Sequence, residues 1–187
     1  MLEGKLVRLR AQEMGDLERD HAWINDPEVT RYLAARYPIS LVDEERWLSG
    51  RPQSSSSNGL RLAIDTKDGR HIGNIDLLPA NPDDRCVALG VMIGDKDHWS
   101  QGYGTDAMVT LLRFAFAQMN LNRIWLHVFE HNERAIACYK KCGFQIEGRL
   151  RHHRYQEGRY SDVFEMGVLR DEFEALHELA APEEGGA

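Results

Sequence analysis

The chain lacks most of what marks a specialised class. Among its 187 residues there is no run of about 18 apolar residues, so no membrane-spanning helix is expected. The opening MLEGKLVRLRAQEMGD is charged throughout and has no signal-peptide character, and a cytoplasmic protein with no membrane partner is the expectation. Cysteine is scarce. Cys86, Cys138 and Cys142 are too few for a disulfide framework, and Cys138 with Cys142 offer only two of the four ligands that a structural zinc takes. They read as small apolar side chains on a helix face, and no metal is expected. Positive charge is not in excess either. A net charge of −7 argues against a general nucleic-acid binder and leaves cationic partners open. No internal repeat is visible, and no G-x-x-x-x-G-K-[ST] phosphate loop occurs.

What is present fits one domain. With 42% hydrophobic residues, a chain of this length can bury about two-thirds of its unfolded surface in one core. We expect a single domain over residues 1–180 and a disordered tail, APEEGGA, over 181–187. KLVRLR (5–10) reads as a first strand, 13–24 and 27–36 as helices, and Ser40 with Asp43 opens a third helix through Leu48. RPQSSSSNG (51–59) reads as a polar loop. LRLAID (60–65), HIGNIDLL (71–78) and VALGVMIG (87–94) are short apolar runs that read as an antiparallel meander. A long helix follows, carrying Met108, Leu111, Leu112, Ala115, Phe116 and Met119 on one face. RIWLHVFE (123–130) reads as a strand buried on both faces. Asn132 caps a helix that Gly143 ends; a hairpin turning at Glu157-Gly158 and a closing helix from Asp171 to about Leu179 complete the order. The fold class expected is mixed α/β (α+β): a mostly antiparallel sheet of six to seven strands flanked by helices.

The stretch HWSQGYGTDAM (98–108) contains Gly102, Gly104 and Ala107 at the spacing of a dinucleotide-binding turn. That turn follows its strand directly, whereas here DKDHWSQ intervenes, and about 90 residues of helix and antiparallel strand come first. Glu130, at the end of the next strand, is the one feature placed where a ribose-binding acid would sit. What remains is simpler physics. A glycine-rich entry to a helix offers unpaired backbone N–H groups and the positive end of the helix dipole, which hold a phosphate without a lysine.

Strand V-M-I-G, loop W-S-Q-G-Y-G-T-D-A and the later N-x-x-A-I-x-x-Y-x-x-x-G-F together resemble the GNAT superfamily of acetyl-CoA-dependent N-acetyltransferases, over nearly the whole chain. The early W-x-N-D-P-E-V segment (Trp23 to Val29) and the late E-G-x-x-R and G-x-Y-x-D hairpin (Glu147 to Asp162) resemble the subset of ribosomal-protein, spermidine and amino-sugar acetyltransferases. The resemblance implies acetyl-CoA as co-substrate. Val91, Met92 and Ile93 would pair with the pantetheine arm as an added strand would, and backbone N–H groups of Gln101, Gly102, Tyr103, Gly104 and Thr105 would take the pyrophosphate. Asn132 would bond the pantetheine, Lys140 or Lys141 would meet the nucleotide phosphates or face solvent, and Tyr139 would protonate the departing thiolate or pack beside the cofactor.

Two positions depart from the family pattern. The acidic residue that many relatives carry two places before the glycine of the cofactor strand is Ala88 here, so Asp76, a water relayed by Asn132, or the backbone is left to take the amine proton. Trp99 stands where the commoner loop has arginine or glutamine. The acceptor implied is a small-molecule or peptide amine: a protein N-terminus, a polyamine or an amino sugar. A homodimer is compatible with the family. Arg149, Arg151, His152, His153, Arg154 and Arg159 make the hairpin basic, facing either solvent or an anionic acceptor, while His127 and His131 lack acidic or cysteine neighbours at ligand spacing. Two other readings stay open, an NAD-dependent oxidoreductase and a non-catalytic acyl-CoA-binding regulator.

Overall fold

A computed structural model describes residues 1–35, 37–50, 59–79 and 83–177. The expected loop 51–59, Gly59 apart, and the tail 181–187 lie outside them. Strands β1 (Leu2–Glu3) and β2 (Val7–Ala11) precede a short 3-10 turn and helices α1 (Leu17–Ile24), α2 (Pro27–Thr30) and α3 (Leu41–Ser49). Strands β3 (Leu60–Thr66), β4 (His71–Leu77) and β5 (Cys86–Ile93) form the meander. Helix α4 (Tyr103–Gln118), β6 (Arg123–Phe129), α5 (Glu133–Lys141), β7 (Gln145–Gln156), β8 (Arg159–Leu169) and α6 (Arg170–His177) follow. The described strands make one eight-stranded sheet, β1-β2-β3-β4-β5-β6-β8-β7. That is one strand more than the upper expectation, because Leu2–Glu3 adds an edge to β2.

Local chemistry sets most of these boundaries. The Ser40 hydroxyl accepts from the Asp43 N–H at 3.1 Å to open α3, and Asn132 accepts from the Ala135 N–H at 3.2 Å to open α5. The β7–β8 turn places Glu157 (φ 51°) and Gly158 (φ 78°) both in the left-handed region, as a tight two-residue hairpin requires. Helix α4 buries Ala107, Met108, Leu111, Leu112, Ala115 and Phe116 against the sheet. Each large apolar side chain so buried contributes roughly 1.5–3 kcal/mol.

Two expectations are corrected. The helix expected over 27–36 stops at Thr30, because Asn25 clamps Ile39 through both backbone groups (2.9 and 3.0 Å) and draws the chain back, with Pro38 disfavouring helix before it. Strand β6 is not buried on both faces: Ile124, Leu126 and Val128 point into the core, whereas Trp125 is half-buried and His127 exposed. Its far face is covered by ring contacts of Trp125, His127 and His153 rather than by a helix.

Six of the seven strand pairings in this sheet are antiparallel; the seventh, β5–β6, shapes the site. Strands β5 and β6 run parallel, as the α4 crossover requires, and pair at only Cys86–Arg123, Val87–Ile124 and Ala88–Trp125. Beyond that, β5 stays with β4 as far as Ile93 and β6 stays with β8 as far as Phe129. The sheet therefore splits into a wedge that opens toward the C-terminal ends of both strands.

Candidate active site

The wedge has an unpaired edge of β5 as one wall. Val91, Met92 and Ile93, expected to hold the pantetheine, lie on it and are half-exposed. By the register, Ile75 pairs with Val91, while Asn74 pairs with Met92 and Asp76 with Gly90. Side chains alternate across a sheet, so Asn74, Asp76, Gly90 and Met92 share one face and Ile75, Val91 and Leu89 the other. Asn74 donates to the buried Asp20 of α1 at 2.8 Å, which fixes the first face as the one that α1 covers. Ala88, where many relatives carry an acid, forms the last β5–β6 pair, so its methyl sits at the apex of the wedge.

At the mouth, the chain leaves β5 through a 3-10 turn (Lys96–His98) and enters α4 at Gly102, whose φ of 92° only glycine adopts at little cost. The N–H groups of Tyr103, Gly104 and Thr105 begin the helix and have no intrahelical acceptor. A side chain at Gly104 would touch Ile93 Cγ1 at 3.8 Å and Cys138 Sγ at 4.0 Å, so the loop, the end of β5 and α5 converge there. Thr105 Oγ1 and Cys138 Sγ are 3.2 Å apart, and hydrogen bonds with Cys142, then Thr105, hold the Cys138 thiol below its usual value. Cys142 itself is buried, so the apolar reading of the cysteines holds for it and only in part for Cys138.

Helix α5 brings Asn132 and Tyr139 to the same side as this loop. The Asn132 carbonyl oxygen is used in the helix cap, which leaves its NH2 directed away from the backbone without a partner among the described residues. Tyr139 packs against the core, its ring 6.0 Å from that of Phe144, and burial pushes its phenol well above the ordinary tyrosine range. Lys140 and Lys141 are exposed. Asp76 belongs to the α1 face, separate from Tyr139 and the loop. Among the described residues no three His, Cys, Asp or Glu side chains are placed to hold a metal ion.

The split sheet therefore has a free strand edge that runs into the glycine-opened start of α4. The acetyltransferase (GNAT) domain family matches residues 6–145. The chain belongs to the GNAT acetyltransferase family. The acetyltransferase is 28% identical over 167 residues to the spermidine N(1)-acetyltransferase of Vibrio cholerae, covering 89% of this chain and 95% of that one. It is 27% identical over 171 residues to the spermidine N(1)-acetyltransferase of Escherichia coli K12, covering 91% and 90%. The crystal structure of spermidine N-acetyltransferase from Vibrio cholerae in complex with CoA and spermine superposes with a TM-score of 0.82 at 27% identity, over 90% of this chain and 98% of that one. The acetyltransferase is thus an enzyme that acetylates amines, and an NAD-dependent dehydrogenase is not supported.

Two supports of the site went unread in the sequence. Asp106, in the first turn of α4, accepts from the backbone N–H groups of Lys5, Leu6 and Val7 at 3.0, 2.6 and 3.0 Å and ties the loop helix to the β1–β2 turn. Trp99 donates from its indole Nε1 to the Ile93 carbonyl at 2.7 Å, and the Arg134 guanidinium of α5 lies 4.2 Å from the Trp99 ring centre. The indole bond holds the end of β5, and the stack joins that end to α5.

Proposed function

We propose that the acetyltransferase moves an acetyl group from acetyl-CoA to a primary amine by direct attack in a ternary complex, without a metal. The observation that carries this is the wedge itself: the free edge of Val91, Met92 and Ile93 can pair with the pantetheine amides, and the N–H groups from Gln101 through Thr105 meet the pyrophosphate at its mouth. Asn132, with its NH2 unengaged, donates to a pantetheine carbonyl. The thioester then lies near the apex, with the donor on the α4–α5 face and the amine entering from the α1 face.

The neutral amine attacks the thioester carbon, and a backbone N–H of the β5 edge stabilises the oxyanion. Collapse of the intermediate breaks the C–S bond. The Tyr139 hydroxyl gives its proton to the departing thiolate, and its raised pKa keeps that proton in place at neutral pH. The ammonium proton leaves to Asp76, which shares the acceptor face, or to water relayed by Asn132. Protein N-termini, polyamines and amino sugars all meet these requirements, and the spermidine relatives support the polyamine among them.

Thermal unfolding with acetyl-CoA, CoA, NADH or no ligand tests the reading. A ligand at ~100 times its Kd adds about 2.7 kcal/mol, so acetyl-CoA and CoA raise the midpoint and NADH does not. Thiol release with spermidine, amino sugars and peptide N-termini follows. A shift with NADH alone overturns the proposal, and tight acetyl-CoA binding with no turnover on any amine favours a silent acyl-CoA-binding regulator.

A further inference from the structure

Just beyond the mouth of the wedge is a notch that acetyl transfer itself does not use. Arg31, His131, Gln156, Glu157, Arg159 and Ser161 line it. Three distant segments are locked together to build it. The backbone N–H of Glu130 donates to Asp162 at 3.1 Å and sets the β7–β8 hairpin beside the end of β6. Gln156 Nε2 donates to the Arg31 carbonyl at 3.1 Å and ties the hairpin to the end of α2. The Tyr32 ring packs 6.4 Å from Phe129 and 5.6 Å from His131, one residue before Asn132.

The charge balance at this end is uneven. Lys96 bonds Asp26 and Glu28, both at 2.9 Å, and Arg149 bonds Glu130 and Asp162. Four acids of α2, β6 and the hairpin are therefore already paired, and Glu157 is left. Arg31 has no carboxylate within 4.0 Å among the described residues and lies only over the Tyr32 ring, 5.9 Å away, and Arg159 has no ion pair there either. Glu157, exposed at the hairpin tip, is the one carboxylate among the lining residues. Two exposed guanidinium groups, an imidazole, a carboxamide and a buried hydroxyl make a donor set for an anion.

We propose that this notch receives a carboxylate or phosphate carried by the acceptor, so that the enzyme acetylates amines that also bear an acid group in preference to polyamines. The proposal rests on the acetyl-transfer reading above. Thiol release by the full chain at saturating acetyl-CoA tests it on matched pairs: an ω-amino acid against its amide, and glucosamine 6-phosphate against glucosamine, with spermidine alongside. Hydrogen bonds to a charged group contribute ~1.5–3 kcal/mol, so the acid-bearing member of at least one pair should show kcat/KM about 10- to 100-fold higher. The pair that responds identifies carboxylate or phosphate. R31Q and R159Q should each reduce that preference through KM, whereas R151Q, on the same hairpin but off the notch, should leave it unchanged. Titration of the same pairs into the CoA complex gives the ratio without turnover. Preference for spermidine, equal affinity within both pairs, or an unmoved ratio in R31Q and R159Q overturns the proposal. Acetyl-CoA stabilisation would still hold in those cases, and its absence alone would sink the parent reading.

Discussion

Tyr139 carries the sharpest residue-level prediction. Burial raises its pKa, so the phenol stays protonated throughout the range in which an amine substrate loses its proton. Activity should rise with pH as the amine deprotonates, with no falling limb from Tyr139 below about pH 10, the ordinary tyrosine value. Tyr139→Phe should lower kcat roughly 10²-fold, keep the rising limb and leave acetyl-CoA affinity almost unchanged. Unchanged kcat would remove the acid role and leave Tyr139 as a packing residue beside Phe144. Asp106 is the second residue to test. Replacing its carboxylate by an apolar side chain removes the partner of three N–H groups at once; the half-buried Val7 donor left unpaired costs about 1–3 kcal/mol, and the exposed Lys5 and Leu6 donors cost less because water reaches them. Asp106→Ala should therefore lower the unfolding midpoint substantially, while Asp106→Glu, too long for the same cradle, recovers only part of it. A midpoint within a degree of wild type for Asp106→Ala would show that water replaces the carboxylate without loss. Gly4 belongs to the same cradle, since a Cβ there would fall 2.5 Å from the Asp106 carboxylate and the Thr110 hydroxyl.

At the scale of elements, the loop into α4 depends on Gly102 and Trp99 in different ways. A non-glycine residue at φ 92° is strained by roughly 1–2 kcal/mol, so Gly102→Ala should weaken CoA binding and lower stability together. Trp99→Phe keeps the ring under Arg134 but removes the bond to the Ile93 carbonyl, so it should weaken CoA binding with a smaller loss of midpoint. Isothermal titration with CoA separates the two, and equal losses of affinity and stability in both variants would contradict this division. The contrast also shows which parts of the fold were legible in sequence. The caps at Ser40 and Asn132, the turn at Glu157-Gly158 and the apolar face of α4 act within a few residues of themselves, and each was readable. The Asp106 cradle spans about 100 positions of chain, and the stack of Arg134 on Trp99 joins a loop to a helix across β6, so neither left a periodic signal. Asp106 did carry a local cue, an acid in a first helical turn, but dipole complementarity alone explains that. The early arrest of α2 was missed for the same reason, because the clamp by Asn25 is a tertiary contact.

For the whole molecule, the two halves of the sheet meet through three parallel pairs, and buried charge on the α1 face holds the first half to its helices. Burial would raise the Asp16 pKa, but the Arg10 bond at 2.7 Å, the Glu13 backbone N–H and the nearby His71 together outweigh it, so Asp16 titrates below its ordinary value. Asp20 and Glu44 are the opposite case. Glu44 of α3 is 7% exposed, and burial, then the neighbouring Asp20 charge, raises its pKa against the weaker pull of His21 and Arg61. A carboxyl raised in the folded state stabilises the fold when protonated, below its unfolded value, and that contribution is lost as pH rises through the folded pKa. Glu44 is therefore a net cost at neutral pH. Glu44→Gln keeps the shape and removes the charge, so its midpoint should exceed wild type at pH 7.5, by about 2–4 °C for each kcal/mol recovered. The gap should close as pH falls through the raised pKa of folded Glu44 toward about 4.5, the ordinary glutamate value, below which Glu44 is protonated in both states. The Arg10–Asp16 pair weakens on the same acidification, but it does so equally in both proteins and cancels in the difference. A gap that stays constant with pH, or a variant less stable than wild type at pH 7.5, would show that the Glu44 carboxylate is solvated or paired when the protein is folded.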